Sequence, residues 1–546
     1  MKKEALYLTI FLGFGALMTY ILNTKSDKEG QYISRELQNT VSEEANSAYF
    51  DIMRKNVQSG KVEANDYLKA IEQVSTSRNA RATQLNWEFM GPDNIGGRVR
   101  AIVVDNANGN RIYSGGAGGG MYISTDGAGT WTYKSDDWEN IHVSTIAQDA
   151  NGRLYAGTGM YADAGASTGN GSAFPGGGIY VSDDRGETWS HLSSTKPAPH
   201  TTSDEWAYIN RIAVSKTKNA QGNYTVYAGT RNGLKVSLDK GQTWTEPMTL
   251  PNCVNPLPGN VQDVVTTHSG RVLVSYNGSL YFSDDGETTC TYNLVGVANG
   301  IGGSTRMSIA VCSSDENNVY AFQSFANSGG NPATFQILKS TNGGRNWGPL
   351  NPAPPTAVID STFDLMGVNP ASYNQAITVD PVDCDKIYVG AVQLYQVDGA
   401  WNSVSTTFNN PGTYVHADVH WFVFDPNNSN TMYVGTDGGV GKTTNAGSGN
   451  INWTENNRHF GTTQYYGIAT STGGQVMGGT QDNGSHLLDP TLVGPAAKDG
   501  LSVYGNDGFD CAISNMGDVG FATSQYGLVA RGSYQNPGQG GIIHPM

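Results

Sequence analysis

An all-β protein built from repeated antiparallel sheets is what this sequence predicts, on three observations. The first is composition: 70 of 546 residues are glycine, 10% are aromatic and only 15% are charged. Ordinary domains carry about 7% glycine and about 25% charged residues. Such a chain excludes a coiled coil, a helical bundle and a disordered tail. The second is a β run ending in glycine, as in Arg111-Ile-Tyr-Ser-Gly115, Leu154-Tyr-Ala-Gly157, Val226-Tyr-Ala-Gly229, Ile387-Tyr-Val-Gly390 and Met432-Tyr-Val-Gly435. The third is a turn that recurs after that run, once per repeat of about fifty residues.

The turn reads Ser-x-Asp-x-Gly-x-Thr-Trp. Full copies lie at Ser124–Trp131, Ser182–Trp189 and Ser237–Trp244, with weaker ones at 283–290, 340–347 and 443–453. Hairpin chemistry explains its residues. The carboxylates of Asp126, Asp184, Asp239 and Asp285, and the amide of Asn342, can accept backbone N–H bonds across the turn. Glycine takes positive φ, and Trp131, Trp189, Trp244 and Trp347 can pack between sheets. These residues are therefore expected to be structural. Aspartates 126, 184, 239 and 285 are 58, 55 and 46 residues apart, room for one four-stranded sheet each.

The motif resembles the Asp-box, or bacterial neuraminidase repeat, and from Trp87 onward the chain resembles Asp-box β-propeller proteins of the sortilin/xyloglucanase-like superfamily. That resemblance implies four-stranded antiparallel blades around a channel over residues 86–546. About 460 residues at roughly fifty each give about nine blades, above the four to eight of most closed rings. Either one unusually large ring or one ring plus part of a second satisfies that length.

The first 85 residues differ. Met1-Lys2-Lys3 precedes an uncharged, largely apolar stretch from Ala5 to Leu22, so residues 1–25 read as a signal peptide or membrane anchor. Export to the cell surface or beyond, with a possible membrane tether, follows from either. Residues 26–85 are poor in glycine and carry apolar residues at helical spacing, which predicts a short helical spacer or cap. Five cysteines without a C-x-x-C pair argue against a zinc-thiolate site, and one disulfide is expected, Cys253 with Cys290 being favoured. A net charge of −15 argues against a nucleic-acid partner.

Chemistry concentrates late in the chain. His416-Ala-Asp418-Val-His420 precedes an apolar run, and on a strand residues 416, 418 and 420 share one face. Metal ligation, a ligand-facing cluster and a hydrogen-bonded buttress are the three readings of it. No resident metal or cofactor is expected. Asp437 follows the next β run, Gln481-Asp482-Asn483 the one after, and Asp507 a further turn, while Arg98 ends an opening Gly-Gly-Arg. Turn geometry alone could account for each polar cluster. This set resembles that of uncharacterised Asp-box proteins exported by Bacteroidetes-type bacteria, a resemblance that brings no activity with it.

Enzymatic precedents stop at the scaffold. Xyloglucanase-type propellers place an aspartate after the first β run, where this chain has Gly116-Ala-Gly-Gly-Gly120. Sialidases carry Arg-Ile-Pro before the first box, and the nearest match, Arg211-Ile-Ala213, follows the second. No catalytic residue is assigned. The expected function is an exported binding or scaffolding module for a glycan or envelope protein. A glycoside hydrolase and an assembly or maturation factor are the alternatives. The candidate site is expected at one mouth or wall of the channel, flanked by Tyr465 and Tyr466, whose aromatic faces suit a sugar ring.

Overall fold

The computed structural model describes residues 89–545 apart from 160–174, 198–203, 248–258, 288–290, 296–299, 326–333, 356–372, 407–411, 490–497 and 534–543. The apolar stretch and helical spacer expected before residue 86 lie outside the described residues, as do Cys253 and Cys290. Among the described residues no helix is long and apolar enough to cross a membrane.

Among the described residues nine antiparallel sheets follow one another, each with its strands in sequence order. They are blades 1 to 9, spanning 99–133, 143–191, 209–237, 261–294, 306–349, 376–403, 419–455, 465–504 and 508–545. Eight have four strands. Blade 3 has three, and its outer edge is reduced to an isolated bridge between Val236 and Thr245.

The blade contacts decide between the two ring arrangements. The first strand of each blade from 1 to 7 packs against the first strand of the next, and Val419–Asp425 of blade 7 packs against Val99–Asp105 of blade 1. Seven apolar clusters fill the seven seams of this closed ring. Blades 8 and 9 share an eighth cluster, around Met477, Leu487, Ala522 and Ala530. The described residues thus form one closed seven-bladed propeller followed by a two-bladed arc.

Closure joins residues more than 300 positions apart. Trp421 Nε1 donates to Ile102 O at 2.8 Å, Trp131 Nε1 to Asn456 O at 2.7 Å, and Lys442 Nζ to Gly127 O at 2.7 Å. Buried tryptophan and glycine carbonyl groups thereby gain partners across the seam.

The repeated turns share one hydrogen-bond pattern. Ser124 Oγ donates to Asp126 Oδ1 at 2.7 Å, and that carboxylate accepts from Thr130 N at 2.9 Å and Thr130 Oγ1 at 2.8 Å. Asp184 with Thr188, and Asp239 with Thr243, repeat it. In blade 5, Asn342 Oδ1 accepts from Asn346 N at 2.9 Å. Asp285 N donates to Ser283 Oγ at 3.2 Å. Trp131 is buried in the seam between blades 7 and 1, and Trp347 in that between blades 4 and 5. A disulfide joins Cys312 to Cys384 across the seam between blades 5 and 6, and Cys511 is a free thiol.

Candidate functional site

The leading segment before blade 1 carries the first element of the site. Gly96 and Gly97 pass so close to the ring that a Cβ would stand 2.6 Å from Gly438 O at the first and 2.1 Å from Thr462 O at the second. Only glycine permits this approach. It delivers Arg98, 3% exposed, to the start of the innermost strand of blade 1.

Arg98 Nε donates to Asp437 Oδ1 at 2.9 Å, and its Nη2 to Asp482 Oδ2 at 3.2 Å. His420 Nε2 faces the same Asp437 Oδ1 at 2.6 Å, and Tyr373 Oη donates to Asp437 Oδ2. The Arg98 guanidinium also lies over the Tyr373 ring, 4.9 Å from its centre. Arg98, His420 and Tyr373 therefore meet at a single carboxylate, and Arg98 links it to Asp482 of the two-bladed arc.

Electrostatics follow from that geometry. Burial alone would raise the Asp437 carboxyl, but Arg98 and then His420 hold it far below the usual range. Burial, reinforced by Arg100, lowers His420 to about 3, so its ring is neutral. With an ionised acceptor opposite, Nε2 carries the proton, and the buried Nδ1 has no hydrogen-bond partner. These residues form a sealed keystone.

A half-open rim surrounds it. Asp418 accepts from Asn374 Nδ2, and burial followed by the Asp437 charge raises its carboxyl to about 7. Burial and Asp437 likewise raise Asp482 well above the usual range, although its side chain keeps 24% exposure. Asp482 N donates to Asp507 Oδ1 at 2.5 Å, and Gln525 Nε2 donates to Asp507 Oδ2. Asn483 Nδ2 reaches Asp437 O at 2.9 Å, and His416 Nε2 stands 3.0 Å from Asp482 O. The backbone of Gln481 is fixed by Gln464 O at 2.9 Å.

One expectation needs correcting. Residues 416, 418 and 420 do not share a strand face, because the strand begins at Val419 and Asp418 has φ +64°. The left-handed residue turns the chain, so His416 lies against blade 8 while His420 enters the ring. The aromatic pair also divides. Tyr466 stacks on Phe509 with ring centres 4.8 Å apart and feels the charges of Asp507 and Asp482, whereas Tyr465 packs over Gly478 in the seam toward blade 9. Among the described residues no group of three or more His, Cys, Asp or Glu side chains is arranged to hold a metal ion.

Tyr373, Asn374 and Arg100 were not singled out as site residues by sequence. A usable signal exists: Gly97-Arg98 and Asp418 immediately precede the first strands of their blades, Tyr373-Asn374 stands one residue further from its own, and Arg100 is the second residue of its strand. Aligning the repeats on that strand start would have found them.

No protein-family model and no curated protein matches the chain. Solved structures do. An ancestral GH74 enzyme is similar at TM-score 0.55 and 16% identity, over 82% of this chain and 62% of that one. The GH74 xyloglucanase from Xanthomonas campestris is similar at TM-score 0.50 and 17% identity, over 84% of this chain and 75% of its own. The extracellular domain of a putative one component system from B. thetaiotaomicron aligns at TM-score 0.43 and 13% identity, over 81% of this chain and 52% of that one. This chain thus spans about 62% of the ancestral enzyme. At these identities the likeness is one of fold, a β-propeller.

Proposed function

We propose that the chain is an exported Asp-box propeller that binds a hydroxyl-rich glycan at the rim formed by Asp418, Asp482 and Asp507. The observation that carries this reading is the convergence of three half-open carboxylates from blades 7, 8 and 9 around one buried Arg98–Asp437 pair. A rigid keystone fixes the rim, the carboxyl groups exchange hydrogen bonds with sugar hydroxyls, and the Tyr466–Phe509 stack offers a flat apolar face beside them. Export is supported by the apolar stretch after Lys3 and by the Cys312–Cys384 disulfide, a bond that persists in oxidising compartments.

Glycoside hydrolysis is the second reading, and one observation favours it. Asp418 is raised to about 7 on the half-open rim, so it keeps a proton near neutral pH, as a general acid must. An envelope protein as ligand and an assembly role rest on the propeller fold alone. Screening the purified protein on glycan and envelope-protein arrays, with hydrolysis measured in parallel, separates these readings. Glycan retention that Asp482→Asn abolishes supports the first. Retention unaffected by Asp482→Asn and Asp507→Asn would exclude the rim.

A further inference from the structure

The ring and the two-bladed arc are joined unlike any two neighbouring blades. Among the described residues, seven apolar clusters lie in the seams of the ring and an eighth between blades 8 and 9, and none crosses from ring to arc. Polar contacts make the connection, and interfaces of that kind permit relative motion. They fall into two groups.

The first group is a strap, residues 91–97, which passes beside the start of the outermost strand of blade 8 on its way to blade 1. Asp93 N donates to Lys498 O at 2.8 Å, and Asn94 exchanges two bonds with Gly500 at 3.2 and 2.8 Å. Thr463 Oγ1 donates to Ile95 O at 2.8 Å. None of these four bonds involves a titrating group. Arg458 pairs with Asp499, and His459 Nδ1 stands 2.6 Å from Asp93 Oδ1.

The second group gathers at the turn between Val476–Thr480 and Gly484–Leu488 of blade 8. The Asp482 carboxyl accepts from Arg98 Nη2 at 3.2 Å, its carbonyl faces His416 Nε2 at 3.0 Å, and Asn483 Nδ2 donates to Asp437 O at 2.9 Å. Asp482 thus brings a carboxyl from the arc to a place where the ring supplies Asp418 and Asp437. Arg98, Arg100 and Asn374 face Asp418, and His420 faces Asp437. Asp507, Tyr373 and Tyr466 are the further groups that share the field of Asp482.

We propose that this junction is a pH-operated latch: ionisation of Asp418 and Asp482 beside Asp437 frees the arc to pivot on the strap, and reprotonation closes it. The direction follows from burial. Asp437 is ionised in the closed form, held so by Arg98 and His420. Burial and then the Asp437 charge raise Asp418 to about 7 and Asp482 well above the carboxylate range, and these outweigh the opposing pull of the arginines. A carboxyl raised in the closed form and hydrated in the open one favours closure at low pH, and closure weakens as pH climbs through the raised value. The strap keeps its four bonds throughout and serves as the hinge. No ligand enters this equilibrium, so it holds or fails apart from glycan binding at the rim.

Pulsed electron resonance between two spin labels on the full chain, without ligand, tests the latch. Keto amino acids at Val382 in the ring and Met516 in the arc, 73% and 81% exposed, carry the labels without involving cysteine. One distance population is expected at pH 5, and at pH 8 a second, displaced by about 5 Å or more as hinge motions are. A control pair within the ring, at Val382 and Lys240, should not move. Asp418→Asn combined with Asp482→Asn should hold the single population at both pH values. Should that pair of changes prevent folding, Asp482→Asn alone, at a side chain with 24% exposure, should reduce the second population at least threefold. A ring-to-arc distance that ignores pH, an equal shift in the control pair, or an undiminished shift in the variants would each overturn the latch.

Discussion

Replacing Asp418 with asparagine isolates the charge balance of the rim. In the fold this carboxyl is raised from 3.8 to about 7, first by burial and then by Asp437. A raised carboxyl lends its full stability below the unfolded value, and that contribution is lost as pH climbs through the folded one. The wild-type protein should therefore weaken between about pH 4 and pH 7 on account of this group. Three pH units correspond to a ceiling of about 4 kcal/mol, and partial solvent contact reduces that to about 2 kcal/mol. Asparagine removes the titration and retains a hydrogen-bonding group: Asn374 Oδ1, buried without a partner, can accept from the new amide. Denaturant melts of both proteins at pH 5 and pH 8 provide the measurement. The difference between variant and wild type should move by about 1.3 kcal/mol in the variant's favour at the higher pH, because part of the titration is already complete at pH 5. A difference that stays constant, or that moves toward the wild type, would mean that Asp418 is ionised throughout and that the reasoning about its surroundings is wrong. The slope that remains in the variant belongs to the other buried groups with shifted values, Asp482, Glu455, His420 and His486 among them.

Three other perturbations reach different parts of the molecule. Gly97→Ala drives a methyl group to 2.1 Å from Thr462 O and shifts Arg98 from Asp437, so stability should fall by about 1–3 kcal/mol with loss of ligand binding at the rim. Preserved melting and binding would refute the keystone. Reducing the 72-residue Cys312–Cys384 loop, or changing both residues to serine, should lower stability by about 2–4 kcal/mol, read as a drop in melting temperature on addition of reductant. Asp184→Ala removes the acceptor of the Thr188 bonds at an exposed turn, a loss comparable with that of a helix cap, about 0.5–2 kcal/mol. Binding by the folded fraction should be unchanged, and a loss of binding without a change in melting would make that aspartate functional.

The blades were legible because their local rules agree. The run ending at Gly115, the serine at 124 and the aspartate at 126 recur in one order, and each blade repeats the same buried inner strands and turn chemistry by itself. Ring closure was not legible. Which strand meets Val99–Asp105 depends on seam partners such as Trp421 and Ile102, 319 positions apart, and no local pattern encodes that pairing. The site was half legible. Asp437, Asp482 and Arg98 stood out as polar residues amid glycines, and they do share one network. Strand periodicity misled at His416–His420, because it assumed an extended Asp418 where the chain takes φ +64°. Tyr373 was missed because a lone tyrosine before an apolar run resembles core, and only its reach into the Asp437 carboxylate marks it otherwise.

Calorimetric titration of the wild-type protein and of Asp482→Asn with a glycan selected on the array tests the central claim most directly. The account predicts saturable binding to the wild type and at least a tenfold loss in the variant, whose melting temperature stays within a few degrees because Asp482 keeps partial exposure. Equal affinity in the two folded proteins would contradict it, leaving the Arg98–Asp437–Asp482 network as a seam that joins the ring to its two additional blades.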